Sequence, residues 1–405
     1  MSELLTPQHK LGKKGLITLI FFLNMTGPMS TDLYISGFPK ILIDLKTTPE
    51  ALNYTLVGFF ISFAVGMLFI GPISDKIGRK PVLLTGILVY GISSMICSFV
   101  TTIDALIFFR ITQALGAGGM ISVSTAMVKD SFSHDERPKI IALLQMLGAF
   151  APTVAPLLGA QIITYFSWHT TFNVLAFFAG ISFVISLFLT ETLAKENRLK
   201  EHVLKSVLSL KHIVFHKPFM VFLLAMGGPS IIYMAFLGTS SYIYISWFQL
   251  SGTQYSLFFA VNSLILVVGP RLYIALRNTI SAKRVIQISF GSILLSGVLL
   301  LTVGKLSPYV FLLSFAPVTF SNSFLRSFAS NILLGQEGMN AGGAVSVINF
   351  SNTGLGAIGM VLGALAWENY ITGLACVILI AMIFSISLWV YFNKKGYNLR
   401  GLEQE

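Results

Sequence analysis

About twenty mostly apolar residues in a row are enough to cross a hydrocarbon core ~30 Å thick. This chain has twelve such runs, and no other feature constrains its fold as much. They fall at about 16–38, 53–73, 81–101, 104–127, 140–164, 171–191, 217–240, 255–276, 285–304, 308–330, 341–365 and 371–392. In lipid only helices and closed barrels satisfy every backbone group, and these runs are far too long for barrel strands. The expected fold is an all-α membrane protein with twelve transmembrane helices. Charge agrees: only 11% of the 405 residues are charged, against about a quarter in soluble domains. So few charges cannot cover a soluble globule, and a chain that is 55% hydrophobic is not disordered.

Twelve spans put both termini on one side, and basic residues identify it. The termini and the segments after even-numbered spans hold twenty-two Lys and Arg, while Lys40, Lys46 and Lys305 are alone on the other side. Cytoplasmic segments collect these residues, so both termini are expected in the cytoplasm. The net charge of +11 is then topological, and no nucleic-acid motif accompanies it. The first run, with Lys10, Lys13 and Lys14 before it, reads as a retained span: it is too long for a signal core and lacks a small-residue cleavage site. Cys97 and Cys376 lie far apart in apolar runs and offer no disulfide framework or metal spacing. The polar stretch from Thr192 to His216 divides the chain into a six-helix half at 1–191, a cytoplasmic connector at 192–216 and a second six-helix half at 217–405. Gly71-Pro72 recurs as Gly269-Pro270 at an offset of 198, placing Arg79 opposite Arg277, and Gly159-Ala160 is matched to Gly363-Ala364 at 204. Duplicated bundles of this kind commonly bind substrate between their halves.

Four segments carry chemistry. Between spans 2 and 3 the chain reads Gly71-Pro-Ile-Ser-Asp75-Lys-Ile-Gly78-Arg79-Lys80. Orientation explains the bases but not Asp75. An acid there can stabilise the N-terminus of a neighbouring helix, which Gly71 would let approach. In span 4, Arg110 is followed by Gln113. An Arg within a span costs roughly 2.5 kcal/mol or more and marks a functional site, unless the side chain snorkels to the interface from ~9 Å deep. Span 1 carries Asp32, the one acid clearly inside a span, at a similar ~9 Å depth. The two could form an ion pair, or a proton site whose affinity is set by low dielectric and by the Arg110 charge. Span 5 holds Gly148, Pro152, Pro156 and Gly159. The two glycines lie about 20° apart around a helix and give a small-residue packing face, and the prolines permit bending.

The segment from Gly71 to Lys80 resembles the signature between spans 2 and 3 of the major facilitator superfamily. The Arg110–Gln113 run and the span 5 glycines resemble motifs of its drug:proton antiporters. Ser30-Thr-Asp-Leu-Tyr34, the Lys129-Asp130 exit from span 4, Trp168 and Glu191-Thr-Leu193 are similar to bicyclomycin/chloramphenicol-resistance exporters, as is the stretch from Phe236 through Asn262. The resemblance implies the major facilitator fold, a bacterial inner or plasma membrane location, and Gly71, Asp75, Gly78, Arg79, Lys80, Gly148, Pro152, Pro156 and Gly159 as parts of the conformational switch. It also implies that Asp75 latches the loop against span 11 in one access state. Some relatives carry a second acid in span 1 where this chain has Asn24, which leaves Asp32 as the proton carrier with Arg110 beside it.

Among polar residues of the spans, Asn24, Tyr34, Gln113, Tyr233 and Asn262 are the candidates for the substrate cavity, and Arg326 in span 10 stands out by its charge. No nucleophile elbow, phosphate loop or zinc spacing is present, so no enzyme activity and no cofactor are expected. The expectation is a proton-coupled exporter of small lipophilic compounds, acting as a monomer in membrane lipid by alternating access of two halves. The alternative is a major facilitator transporter of a physiological metabolite.

Overall fold

The computed structural model describes residues 4–133, 136–199, 210–276, 279–336 and 341–402, without the side chains of 138, 139, 141, 142, 145–150 and 341. Its regular elements are helical among the described residues. In the first half these are α1 (Gly12–Ile35), the short α2 (Phe38–Asp44), α3 (Pro49–Ile77), α4 (Arg79–Cys97), α5 (Ile103–Ser131), α6 (Arg137–Tyr165) and α7 (Trp168–Leu187). After the short α8 (Lys211–Val214) follow α9 (Lys217–Ser241), α10 (Gly252–Leu276), α11 (Ala282–Thr302), α12 (Pro308–Leu334), α13 (Ala341–Gly363) and α14 (Tyr370–Lys394). Eleven of the described helices are long and apolar enough to cross a membrane. The 29-residue α6 occupies the remaining place.

Several helices outrun their apolar cores. α3 continues through Gly71, Asp75 and Lys76 to Ile77, so the expected loop between spans 2 and 3 narrows to one residue, Gly78. Its φ of +119° is a conformation that favours glycine. α9 is prolonged by a π-helical turn at Tyr242–Trp247. Thr48, Thr102 and Ser307 cap α3, α5 and α12 by accepting from the N–H three residues on, so several membrane entries are fixed by local chemistry.

The chain forms two compact units, Met1–Ser209 and Leu210–Glu405. In the first, α5 packs on α3, α4 and α1, α1 packs on α6 and α7, and α4 packs on α7. In the second, α12 packs on α10, α11 and α9, α9 packs on α13 and α14, and α11 packs on α14. The same pairings recur in order, as a duplication requires. Large apolar side chains such as Phe108, Phe177, Leu313 and Ile383 point outward and are exposed. They are the lipid-facing surface of a membrane bundle, where the surrounding solvent is hydrocarbon.

Close approach repeats as well. A Cβ at Gly159 on α6 would run into the carbonyl oxygen of Leu33 on α1, and one at Gly359 on α13 would run into that of Ile231 on α9. A Cβ at Gly71 would stand 2.7 Å from Ser122 Oγ, and one at Gly269 would run into Ser323 Oγ. Glycine lets these helix backbones touch. The tertiary counterpart of Gly159 is thus Gly359. Gly363, the match expected from sequence, crosses one turn further along against Ala235 O, at 3.0 Å.

Candidate functional site

Arg110 does not snorkel. It is fully buried, and its Nη1 donates to Ser30 O at 2.9 Å and to Gln113 Oε1 at 2.6 Å. The guanidinium carbon lies 4.1 Å from the Phe59 ring centre, 4.7 Å from Tyr34 and 5.9 Å from Phe172. Nε and Nη2 make no hydrogen bond to the protein. Hydrogen bonds to a charged group contribute about 1.5–3 kcal/mol each, and a desolvated cation–π contact adds about 2 kcal/mol. Together these offset an insertion cost of roughly 2.5 kcal/mol or more. The network runs on: Gln113 Nε2 donates to Ser94 Oγ at 2.7 Å, Ser94 Oγ to Tyr90 O at 2.7 Å, and Tyr90 Oη meets Ser30 Oγ at 2.7 Å.

Asp32 is also buried, at 4% exposure. Among the described residues no ion pair includes it, and its side-chain partner is Thr31 Oγ1 at 2.9 Å. The ion pair with Arg110, one of the two readings open from sequence, is therefore not formed. The reason is angular. Ser30 and Tyr34, one turn apart, both face Arg110, whereas Asp32 lies two residues from each, about 200° around the helix. The rotation of α1 about its axis was not readable from sequence.

The cavity candidates divide. Tyr34 belongs to the shell of Arg110, and its hydroxyl meets Thr55 Oγ1 at 2.7 Å. Gln113 is the acceptor of Arg110. Asn24 Nδ2 ties α1 to α5 through Ser124 Oγ at 2.9 Å. Asn262 Oδ1 accepts from Thr319 Oγ1 at 2.7 Å, while its Nδ2 is buried without a partner. Tyr233 lies beside Phe236, ring centres 6.2 Å apart. Among the described residues the second half has no arginine in an aromatic shell. There Phe311 sits among Phe236, Tyr244, Phe248 and Phe315.

At the α3–α4 junction Asp75 pairs with Arg79 at 2.6 Å within the first half. Arg79 Nε donates to Asp130 Oδ2 at 2.8 Å and Nη1 to Ser74 Oγ at 2.6 Å. The carboxylate at the N-terminus of α4 is Glu191, not Asp75. It accepts from the backbone N–H of Arg79 at 2.9 Å and of Lys80 at 3.2 Å, the favoured place for negative charge. Lys80 Nζ reaches Leu187 O at 2.8 Å. The segment before α1 joins this patch: Thr6 Oγ1 donates to Asp130 O at 3.1 Å, and Gln8 and Thr190 exchange bonds of 3.1 and 2.9 Å. Sequence spacing could not assign these roles to Glu191, Asp130 and Gln8, because their partners are far away along the chain. Within α6, Pro156 is buried, Pro152 half-buried, and Gly159 forms the crossing described above. Gly148 is on the same helix, with surroundings outside the described residues, as is Arg277.

Relatives and neighbours agree with this architecture. The chain is 27% identical over 360 residues to an uncharacterized MFS-type transporter, YdgK, of Bacillus subtilis, covering 86% of this chain and 89% of that one. It is 31% identical over 184 residues to a bicyclomycin resistance protein homolog of Haemophilus influenzae, covering 45% of this chain and 46% of the relative. It is also 31% identical over 176 residues to the multidrug resistance protein MdtL of Salmonella paratyphi C, at 44% and 45% coverage. With these two resistance proteins the chain thus spans under half of the relative's length. Among solved structures it superposes on the nucleoside transporter NupG with a TM-score of 0.70 at 13% identity, covering 94% of this chain and 99% of that one. The xylose transporter XylE of E. coli gives 0.68 at 13% identity, with 96% and 99% covered. The profile of the Major Facilitator Superfamily matches residues 20–364. A twelve-helix plan, two halves that repeat one packing scheme and a family match over most of the sequence lead to one conclusion: the chain belongs to the Major Facilitator Superfamily and is a multi-pass membrane transporter.

Proposed function

We propose that this transporter is a proton-coupled exporter of small lipophilic compounds, working by alternating access in a bacterial plasma membrane with both termini in the cytoplasm. The observation that carries the reading is Asp32: a carboxyl group buried in a membrane-spanning helix, with no ion-pair partner among the described residues. A charged carboxylate is costly in that setting, and a neutral one is not. A group so placed can take up a proton on one side and give it up on the other, once the second access state changes its surroundings. Arg110, held by Ser30, Gln113 and three aromatic rings, fixes the helix that carries Asp32 without neutralising it. The resistance proteins to which the chain is similar support lipophilic drugs as the substrate class. The Asp75–Arg79–Asp130 and Glu191 contacts would hold one access state.

The test is proton movement in liposomes holding the purified protein, on addition of a panel of lipophilic drugs. Wild type is expected to show a drug-triggered flux, and Asp32→Asn to lose it. A flux of equal size in both would move the proton site elsewhere. No flux with any drug would remove the exporter reading in favour of a metabolite transporter.

A further inference from the structure

The second half contains a cation that, among the described residues, no carboxylate answers. Arg326 lies on α12, eight residues before Leu334, hence about 12 Å along the axis from that end. Helices α9 to α14 contain no Asp or Glu at all. Arg326 also differs from Arg110 in what surrounds it. No ring stacks on it and, among the described residues, no hydrogen bond or ion pair engages it. Its side chain is exposed, and it lines a small, partly open cavity of about 10 Å³ bordered by α9, α12 and α13.

Ser230, Asn322, Ser330 and Asn352 line the same cavity, beside apolar side chains such as Met226. None of these four polar side chains makes a side-chain hydrogen bond within the described residues. At the offset that maps Gly71 onto Gly269, Ser230 takes the place of Asp32. The first half thus has an acid where the second has an uncharged hydroxyl. A guanidinium fork, two carboxamides and two hydroxyls face one space that contains no acid. Such a donor-rich set matches an oxyanion, and the planar fork matches a carboxylate in particular. A space of this size admits the charged group alone, and a lipophilic body attached to it would lie outside, beside the exposed Arg326.

We propose that this cavity is the recognition subsite for an oxyanion, and that the transported compounds are amphipathic anions: a carboxylate or similar group on a lipophilic frame. The assignment rests on the export reading above and narrows its substrate class. A lipid phosphate offers the same chemistry, so the experiment separates the two sources.

The full chain is placed in nanodiscs of phosphatidylcholine alone. Binding of radiolabelled naphthoate is compared with that of naphthamide, which has the same rings and no charge. Wild type should bind naphthoate about tenfold more tightly, about 1.4 kcal/mol. Arg326→Gln should bring the ratio close to one through loss of naphthoate affinity, and Arg326→Lys should keep part of the preference. Equal binding of both probes by wild type, or a preference that survives Arg326→Gln, overturns the proposal. So does naphthoate binding that vanishes when phosphatidylglycerol is added to the discs, because the cavity would then belong to a headgroup. If Arg326→Gln does not fold, phenylglyoxal modification of wild type supplies the answer. Naphthoate, but not naphthamide, should slow labelling of the peptide that contains Arg326, and absence of that protection overturns the proposal. None of these measurements needs a proton gradient. Failure of drug-triggered flux would therefore count against export and leave the anion subsite standing or falling by its own result.

Discussion

Arg110 and Asp32 show how two buried charges on neighbouring helices can have opposite roles. Arg110 is held by two hydrogen bonds from Nη1 and by ring faces, so removing it leaves Ser30 O and Gln113 without their donor and opens a cavity in an aromatic shell. Leaving buried acceptors unpaired costs about 1–3 kcal/mol, and the cavity adds to that. Arg110→Ala is therefore expected to lower the melting temperature of the purified protein markedly, by fluorescence-monitored unfolding in detergent. On becoming Asn, residue 32 keeps an oxygen that can accept from Thr31 Oγ1 and loses only its ability to ionise. Asp32→Asn should leave the melting temperature unchanged or raised while abolishing flux. A large drop for Asp32→Asn would make it a structural residue and sink its assignment as proton carrier. The sequence singled out both residues. It could not show that they turn away from each other, because a two-residue step reverses the face of a helix and nothing local fixes how α1 is rotated.

At the scale of elements, the helices are held by backbone crossings rather than by charge. Gly159 and Gly359 each sit where a Cβ would strike a carbonyl oxygen of the partner helix, and overpacking usually costs about 1–3 kcal/mol. Gly159→Ala and Gly359→Ala should both destabilise the protein by at least that amount in thermal unfolding. Gly180→Ala, on α7 with nothing within 4 Å of the added methyl, should be neutral or stabilising by up to about 1 kcal/mol. Equal effects at all three positions would refute the close-crossing account. The junction of α3 and α4 depends on Gly78 and on Glu191, whose carboxylate accepts the first N–H groups of α4. Glu191→Gln keeps one of the two acceptor oxygens and loses the charge. It is expected to cost about 1–3 kcal/mol in stability, and Glu191→Ala more, measured by the same unfolding assay. The run from Gly71 to Lys80 was recognisable in sequence as a special segment. That α3 stays helical to Ile77, and that the acid at the head of α4 comes from beyond α7, was not, since a helix end is chosen by contacts that arrive from a hundred residues away.

For the whole molecule, the duplication and the charge asymmetry make the largest claims. With both termini in the cytoplasm, a lone cysteine replacing Lys305 in a cysteine-free background should react in intact cells with a membrane-impermeant maleimide. One replacing Lys195 should react only after permeabilisation. The reverse pattern would overturn the orientation. Span number follows from the sequence because the bilayer's thickness demands about twenty apolar residues per crossing, and the expected orientation rests on insertion sorting Lys and Arg to one face. These are one-dimensional constraints, and a one-dimensional string records them. The placing of Arg110 in an aromatic shell, its separation from Asp32, the pairing of Gly159 with Gly359, and the convergence of Arg326 with Ser230, Asn322 and Asn352 on one cavity were decided by the tertiary structure alone. Each depends on the rotation of a helix about its axis and on which helix lies beside it. Helix–helix packing sets those quantities, and in a span that is apolar nearly all round no hydrophobic stripe announces them beforehand.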